Sequence, residues 1–331
     1  MFQAGGFVAE ALAERMHWEK KGRIFTAANQ HEWMAHHASV PIADKVDDRV
    51  LRIYFGPRDR QGRTRPAFID VEADNPANIL YVHDRPVLDL GQPGTFDDSG
   101  VMPSCIVNDG GHKYLYYTGW NLGVTVPYTL SIGVAMSTDG GVTFKRMFDG
   151  PVLDRILREP YSSLSPFVLK TGDTWRLWYA SITGYVAVKD RLEPQYHIRY
   201  ADSLDGLEWR RAATTCIGYS FDGEANGRPC VIEEDGRYRM WYCYRSIVDY
   251  RTDSSKSYRI GYAESQNGVE WTRLDHLAGI GCSDDGWDSM MIEYPYVYRH
   301  RGRTHMLYAG NGFGESGFGY AVLVDNDRRT R

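Results

Sequence analysis

Five prolines recur at a nearly constant interval along the chain, with gaps of 62, 63, 63 and 66 residues: Pro41, Pro103, Pro166, Pro229 and Pro295. A second apolar run follows each proline, and its centre lies 12 or 13 residues further on, at Tyr54, Tyr116, Trp178, Trp241 and Leu307. A fixed period of this length indicates five copies of one structural unit. Radial repetition of four-stranded sheets is the architecture that fits such a unit, and in that architecture functional residues lie near the central axis.

Each unit continues with further β-type segments. A third apolar segment follows the second, as LSIGVAMS (130–137), HIRYADS (197–203), RIGYAES (259–265) and GFGYAVL (317–323). Three of these lead into Asp-Gly or Asn-Gly turns, which are strong hairpin signals. The fifth unit ends after only three strands, so we expect residues 17–25 to supply its outer strand and to close the ring without an open sheet edge.

The predicted fold class is therefore all-β: a five-bladed propeller of four-stranded blades whose last blade is closed by an N-terminal strand. No Pro/Ser-rich linker or charge run interrupts the repeat, so residues 17–331 are predicted to form a single domain. Residues 1–16 are predicted to be an N-terminal extension, either an extra helix or a frayed arm.

Composition narrows the classes of partner and the compartment. The net charge is −5 with both signs interspersed, so no basic field is available for nucleic acid. Glu10, Glu14 and Arg15 interrupt the N-terminal segment, which is inconsistent with a signal peptide or a membrane span. The five cysteines lack any CxxC pair and indicate reduced, buried thiols in a cytoplasmic protein. The 23 tyrosines and 9 tryptophans suit packed blades and also sugar binding.

Candidate site residues are those that precede the first strand of each unit, because that strand lines the channel of a propeller. Counting back five positions from each proline gives His36, Asp98, Tyr161, Glu224 and Met290. Further polar residues lie nearby: His37, Asp97, Glu159, Arg228 and Glu293. Arg58, at the end of its strand, is the arginine of its segment best placed to reach inward. We expect this set to form a funnel for a polar ligand.

The expected roles follow from side-chain chemistry. Asp98 and Glu224 are predicted to be a catalytic pair, with Glu293 as the alternative acid or a group that positions substrate hydroxyls. His36, His37, Arg58, Asp97, Glu159, Tyr161 and Arg228 are predicted to bind substrate. Arg228, helped by His36 or His37, would bind a phosphate or an acidic sugar, because arginine clamps oxyanions bidentately.

Simpler interpretations of the same residues are also open. Acids that precede a strand often cap turns, and paired histidines often bond the backbone. No third ligand stands at a recognisable metal spacing, so no metal and no cofactor are predicted.

Several sequence strings resemble known proteins. The five-fold register with carboxylates before the first strands resembles the propeller glycosidases of families 43 and 32 and the mannoside phosphorylases of family 130. The strings TFDDSGVMPSCIV (95–107), GWDSMMIEYPYVY (286–298) and SGFGYAVL (316–323) also resemble an uncharacterised bacterial group of glycosidase-like propellers encoded among surface-polysaccharide genes. This likeness spans Trp18 to Leu323.

The residues also depart from the hydrolase pattern. Families 43 and 32 carry an Asp, an Asp and a Glu on their first three blades. Here the first unit presents His36 and His37, the second matches with Asp98, and the third offers Tyr161 and Ser162, with Glu159 slightly further back. The hydrolase triad therefore does not transfer as a whole.

The resemblance implies an enzyme acting on a glycosidic bond, by hydrolysis or by transfer to phosphate or another acceptor, with a carbohydrate or anionic sugar as substrate. The alternatives are a non-catalytic propeller that binds a glycan or metabolite, and an enzyme of small-molecule biosynthesis that uses the same funnel. Because Asp98 and Glu224 are expected at a solvated mouth, their substitution should reduce activity and leave stability nearly unchanged. The sequence does not indicate an oligomeric state.

Overall fold

In a computed structural model, residues 15–324 are described, so most of the predicted N-terminal extension lies outside the described residues. The first strand is β1 (Trp18–Phe25). The strands that follow in chain order are β2 (His36–Lys45), β3 (Val50–Arg58), β4 (Ala67–Glu72), β5 (Ile79–Val82), β6 (Gly100–Asp109), β7 (His112–Leu122), β8 (Tyr128–Ser137), β9 (Lys145–Arg146), β10 (Ser163–Thr171), β11 (Thr174–Val188), β12 (Arg191–Ser203), β13 (Arg210–Ile217), β14 (Glu224–Glu234), β15 (Arg237–Ser246), β16 (Arg259–Ser265), β17 (Thr272–Arg273), β18 (Glu293–His300), β19 (Arg303–Ala309) and β20 (Phe318–Leu323). Short helical turns occur at Ser254–Lys256, Asp275–Leu277 and Asn311–Gly314.

The strands form five antiparallel four-stranded sheets, arranged as the blades of a propeller. Their orders are β2-β3-β4-β5, β6-β7-β8-β9, β10-β11-β12-β13, β14-β15-β16-β17 and β18-β19-β20-β1. The inner strands β2, β6, β10, β14 and β18 each pack against the next around the ring, and β18 returns to β2. In the fifth blade β1 pairs with β20 from Trp18 opposite Leu323 to Phe25 opposite Phe318. The predicted fold, including its closure by an N-terminal strand, is confirmed.

The repeated aromatic residues of the second strands lock neighbouring blades together. The buried Tyr54 hydroxyl donates to the carbonyl oxygen of Gly141 at 2.7 Å, in the turn between the outer strands of the next blade. Tyr116 bonds Gly206 in the same way at 2.9 Å, and Trp178 Nε1 bonds the carbonyl of Gly268 at 2.7 Å. The Asp-Gly and Asn-Gly turns therefore present backbone acceptors to the adjacent blade.

The repeat prolines mark a β-bulge in every inner strand. The pairing register shifts at or beside each proline, because proline has no N–H to continue the ladder. The residue just before the proline has a left-handed backbone in four blades, with φ of 53° at Val40, 52° at Ser165, 54° at Arg228 and 56° at Tyr294. Residues held in sparsely populated backbone regions cluster at functional sites.

Candidate functional site

A cavity of about 350 Å³ lies on the propeller axis. The residues that precede the five prolines all line it: Val40, Met102, Ser165, Arg228 and Tyr294. Its wall comes from the second strands, at positions four residues beyond the repeated aromatic: Arg58, Trp120, Ile182 and Arg245. Each blade thus contributes to one site, and the side chains differ from blade to blade.

Longer connections cover one end of the cavity. The hairpin of β11 and β12 is longer than the other hairpins and brings Pro194 and Tyr196 to the cavity. The connection between β15 and β16 adds Tyr250, Arg251 and Tyr258, and Phe313 comes from the fifth blade. The loops between second and third strands, with those that precede the first strands, therefore form the face on which the site opens.

Arg228 is the most unusual lining residue. Its side chain is only 2% exposed, and Nε, Nη1 and Nη2 all lack a hydrogen-bond partner within the described residues. Its nearest aromatic ring, Tyr296, has its centroid 6.0 Å from the guanidinium carbon. Burial lowers its pKa below the usual value. An unpaired buried cation costs folding free energy, so its position is explained when an anion supplies the missing partner.

Arg245 lies in the same cavity but has partners for its guanidinium. Its Nε donates to the Tyr258 hydroxyl at 2.9 Å, and Nη1 donates to the backbone carbonyl of Ser246 at 3.0 Å. Its guanidinium also stacks on Tyr250 at 3.8 Å. Arg251 is bonded to the buried carboxylate of Glu193. These two arginines are fixed by the protein, whereas Arg228 is available to a ligand.

No aspartate or glutamate is among the lining residues that the structure describes. Two buried carboxyl groups adjoin the site: Glu193, which is bonded to the lining residues Tyr250 and Arg251, and Glu293, which directly precedes Tyr294. Glu293 is fully buried, and neither of its oxygens has a hydrogen-bond partner within residues 15–324. Burial raises the pKa of Glu293 well above the usual value, although the Tyr294 side chain and the charges of Arg58 and Arg245 oppose the shift. The burial of Glu293 therefore favours the neutral acid over the carboxylate.

His36 and His37 lie next to Arg58. Their Nδ1 atoms are 2.5 Å apart, so one nitrogen must donate and the other accept, and both rings cannot be protonated there. Burial, with the charges of Arg58 and His36, lowers the pKa of His37 to about 3. His37 has a left-handed φ of 62°. The pair is a hydrogen-bonded unit behind the cavity wall rather than part of the lining.

A different arrangement contains the acids Asp97, Glu159 and Glu224, and we call it the acid latch. In an acid latch, an acid before or at the start of the first strand is bonded to a cation on the outer strand of the same blade. Asp97 accepts from Tyr117 at 2.9 Å and from Arg146 at 2.7 Å. Asp288 likewise accepts from Tyr308 at 3.0 Å and from Lys20 at 2.6 Å. The latch ties the start of a blade to its outer edge.

The other two latches show the same chemistry with more partners. Glu159 accepts from Tyr179, Ser181 and Arg211, each at 3.0 Å. Glu224 accepts from Arg273 Nη2 at 2.6 Å and Nη1 at 2.9 Å, and from the Ser220 amide at 2.6 Å. Glu224 is fully buried, so the expectation that it lies at a solvated mouth is wrong.

The remaining predicted residues lie at the surface of the same face. Asp98 is partly exposed and accepts hydrogen bonds from the Gly94 amide, the Ser99 hydroxyl and the Asn121 amide. These bonds, above all that from Gly94, lower its pKa. Tyr161 is 40% exposed and contacts the ring of Tyr185 edge-on. Neither residue is in the cavity lining.

The structure therefore brings Arg58 and Arg228 into the cavity, with His37 and Glu293 close behind its wall. None of the residues counted back five positions from the prolines lines it. The offset of one position before the proline selects the lining residues, and the offset of four after the second-strand aromatic selects Arg58 and Arg245. Tyr250, Arg251 and Tyr258 lie on an irregular connection for which the repeat gives no register.

Within residues 15–324, no three His, Cys, Asp or Glu side chains cluster closely enough to hold a metal ion. None of the helices in this part of the chain has the length and apolar character needed to cross a membrane.

Comparison with known proteins identifies two close relatives. No family model matches the chain. The uncharacterized proteins MT1551 and Rv1502 from two strains of Mycobacterium tuberculosis are each 41% identical to it over 309 residues, which cover 93% of this chain and 99% of theirs.

Solved structures with the same fold are more distant in sequence. A glycosyl hydrolase from Bacteroides ovatus has a TM-score of 0.71 at 14% identity and covers 95% of both chains. A thermostable family-43 glycoside hydrolase has a TM-score of 0.64 at 17% identity, covering 92% of this chain and 91% of its own. The family 32 β-fructofuranosidase BmSUC1 of Bombyx mori has a TM-score of 0.60 at 15% identity, over 94% of this chain and 61% of its own. The resemblance to these five-bladed propellers is confirmed at the level of fold.

Proposed function

Because the chain belongs to the family of the mycobacterial proteins MT1551 and Rv1502, and shares its fold with propeller glycoside hydrolases, we propose that it is a carbohydrate-active protein whose axial cavity binds an anionic sugar. The observation that carries this proposal is the buried guanidinium of Arg228, which lines the cavity and whose nitrogens have no hydrogen-bond partner in the described part of the chain. Phosphate and carboxylate groups match its donor geometry. Trp120 and several tyrosines line the same cavity and provide the aromatic surface that sugar rings commonly contact.

For the reaction, we propose chemistry at a glycosidic bond with Glu293 as the proton donor. A carboxyl group kept neutral by burial is suited to protonate a leaving oxygen. If a bound phosphate attacks the anomeric carbon, its oxygen forms the new bond, the bond to the leaving oxygen breaks, and the Glu293 proton passes to that oxygen. A single protein acid and an oxyanion clamp suffice for this transfer, whereas hydrolysis by the usual route needs a second carboxylate at roughly 5–9.5 Å.

The pairing of Asp98 with Glu224 stays a prediction. The hydrogen bonds of both carboxylates are satisfied by their own blades, which gives this pair less support than Glu293. A second candidate function, non-catalytic binding of an anionic glycan, is favoured by the lack of any carboxylate among the described lining residues. In that case Glu293 would be a hydrogen-bond donor to the bound ligand.

Calorimetric titration tests the binding proposal, with inorganic phosphate, hexose 1-phosphates and hexuronic acids as ligands. We expect Arg228→Ala to weaken binding of the anionic ligands by about 100-fold, since hydrogen bonds to charged groups contribute about 1.5–3 kcal/mol each. Arg210→Ala is the matched control, because Arg210 is a surface arginine paired with Asp202. Unchanged affinity in the Arg228 variant would contradict the proposal.

A second measurement separates enzyme from binding protein. Incubation of the protein with a hexose 1-phosphate and a panel of sugar acceptors should release phosphate, the reverse of the proposed transfer. We expect Glu293→Gln to lower this rate by about 10²–10⁴-fold and to change ligand affinity little. Binding without turnover in the wild-type protein would favour the non-catalytic function.

A further inference from the structure

Exposed apolar side chains are concentrated on the face where the cavity opens. Among residues 15–324, ten of the fifteen exposed large apolar side chains lie on or beside the loops of this face. Six of them form what we call the apolar rim, around the second, third and fourth blades: Leu122, Val124, Tyr161, Val186, Tyr219 and Phe221. On the opposite face, the turns carry only Val46 and Leu204 from the same set. An exposed apolar group of this kind marks a binding surface.

A second pocket lies next to the axial cavity and meets this rim at Val124. It has a volume of about 440 Å³ and lies between residues 123–128 and residues 190–193 at the tip of the long hairpin. Tyr128 and Arg251 line both this lateral pocket and the axial cavity. The apolar part of its wall includes Val124, Val126, Pro127 and Leu192. The two pockets are therefore adjacent, and a ligand anchored at Arg228 would pass Tyr128 and Arg251 to reach the lateral pocket.

The two sites differ in chemistry. The axial cavity contains the buried guanidinium of Arg228, which has no partner among the described residues. The lateral pocket has an apolar part to its wall that continues to the surface: Val124 is fully exposed, and Leu122, just outside the pocket, is 79% exposed. We propose that the lateral pocket and the apolar rim bind the hydrocarbon chain of an amphiphilic ligand, whose anionic sugar group occupies the axial cavity. This rests on the proposed function, because the same ligand's anion is assigned to Arg228.

The observations favour a single amphiphile over a bilayer or a second protein copy. Val124, Val126, Pro127 and Leu192 line a concave pocket that also contains two acids and two arginines, so its charges balance and provide no basic patch for an anionic membrane surface. The net charge of −5 acts in the same direction. The adjacent cationic cavity gives the hydrocarbon chain a defined starting point, which a flat docking surface would not have.

Methyl phosphate and octyl phosphate test this inference, since they share an anionic group and differ in the hydrocarbon chain. We expect the wild-type protein to bind octyl phosphate, below its micelle concentration, roughly tenfold or more tighter than methyl phosphate, because burial of the added methylene groups is favourable. The double substitution Leu122→Ser with Val124→Ser should remove most of this difference and leave the affinity for methyl phosphate unchanged. Leu204→Ser is the matched control, since Leu204 is 86% exposed on the opposite face.

The outcomes separate this inference from the proposed function. The role of the rim would be overturned if the wild-type protein bound the two phosphates equally, or if its preference for octyl phosphate survived the double substitution. In either case, weaker binding of both ligands by Arg228→Ala would still support the anion site. Octyl phosphate binding that is insensitive to Arg228→Ala would contradict the anion site. Sedimentation of the protein with neutral phosphatidylcholine vesicles, in the absence of phosphate, would assign the rim to a bilayer and overturn the inference. A dimer that the double substitution dissociates would assign the rim to a second copy of the chain, with the same consequence.

Discussion

The axial cavity and the acid latches differ in whether their charged side chains have hydrogen-bond partners. In the latches each carboxylate is bonded to a tyrosine, to a cation of the same blade, or to both, as at Asp97 and Glu224. In and beside the cavity, Arg228 and Glu293 are buried without hydrogen-bond partners among the described residues. The latches have the features of groups that stabilise the fold, whereas the unsatisfied groups reduce stability until a ligand binds.

This contrast separates residues that look alike in the sequence. Glu224 and Glu293 are both acids a few positions before a repeat proline, yet Glu224 has an arginine partner and Glu293 has no hydrogen-bond partner among residues 15–324. Proximity to the axis is therefore a weaker guide to function than the satisfaction of hydrogen bonds. Substitutions that distinguish the two regions should affect stability in opposite directions.

The largest expected effect concerns a latch. Glu224→Gln replaces the fully buried carboxylate that accepts from two nitrogens of Arg273, while Arg273 keeps its second partner Asp275. We expect the free energy of unfolding to fall by about 3–5 kcal/mol, because two hydrogen bonds to charged groups contribute about 1.5–3 kcal/mol each. Urea denaturation measures this change. Asp202→Asn is the control, because its partner Arg210 is exposed and such surface pairs contribute about 0–1 kcal/mol. Equal effects of the two substitutions would mean that the latch does not differ from an ordinary surface pair.

The next effect has the opposite sign and compares two arginines of one cavity. Replacement of the unpaired Arg228 by Met, a side chain of similar length, should raise the free energy of unfolding of the ligand-free protein by about 1–4 kcal/mol while abolishing anion binding. Arg245→Met should instead destabilise it, because it removes the partner of the Tyr258 hydroxyl and the stacking on Tyr250. Thermal and urea unfolding of both variants give the comparison. A destabilised Arg228→Met protein would show that the guanidinium is already satisfied.

The sequence was sufficient to predict the fold because each copy of the repeat contains the same short local patterns. The prolines mark the bulges, the aromatic residues mark the second strands, and the Asp-Gly and Asn-Gly turns mark the hairpins. The same signals indicated that Arg58 and Arg228 face the axis, although the offset of five positions selected residues outside the cavity. A bulge changes the direction of side chains by one position, and the acid latches turn several carboxylates towards the outer strands. Neither effect has a signature in spacing alone.

His37 gives a smaller effect that depends on pH. Its pKa is lowered to about 3 in the folded protein, against a usual value of 6.5, so the unfolded chain binds a proton first as the pH falls. The contribution of His37 to stability is therefore fully present above pH 6.5 and is lost progressively towards pH 3, by about 3 kcal/mol at pH 4. His37→Asn, which tolerates the left-handed backbone, should flatten this part of the stability profile. His31→Asn, at an exposed histidine, is the control and should leave the profile unchanged.

The smallest effect is expected at Asp98, which lies on the open face but outside the cavity lining. Asn at this position keeps the shape of the side chain and loses one acceptor among bonds from Gly94, Ser99 and Asn121. We expect Asp98→Asn to lower the free energy of unfolding by about 1 kcal/mol at neutral pH, in line with the loss of one hydrogen bond. The difference from wild type should shrink in acid, since the depressed pKa means that the wild-type carboxylate loses its own advantage as it is protonated. Affinity for anionic ligands should stay within about threefold, because a bond to the ligand is not being removed. A fall of 100-fold or more in turnover, with binding intact, would instead identify Asp98 as a catalytic carboxylate. It would then favour the predicted pair of Asp98 and Glu224 over Glu293 as the proton donor.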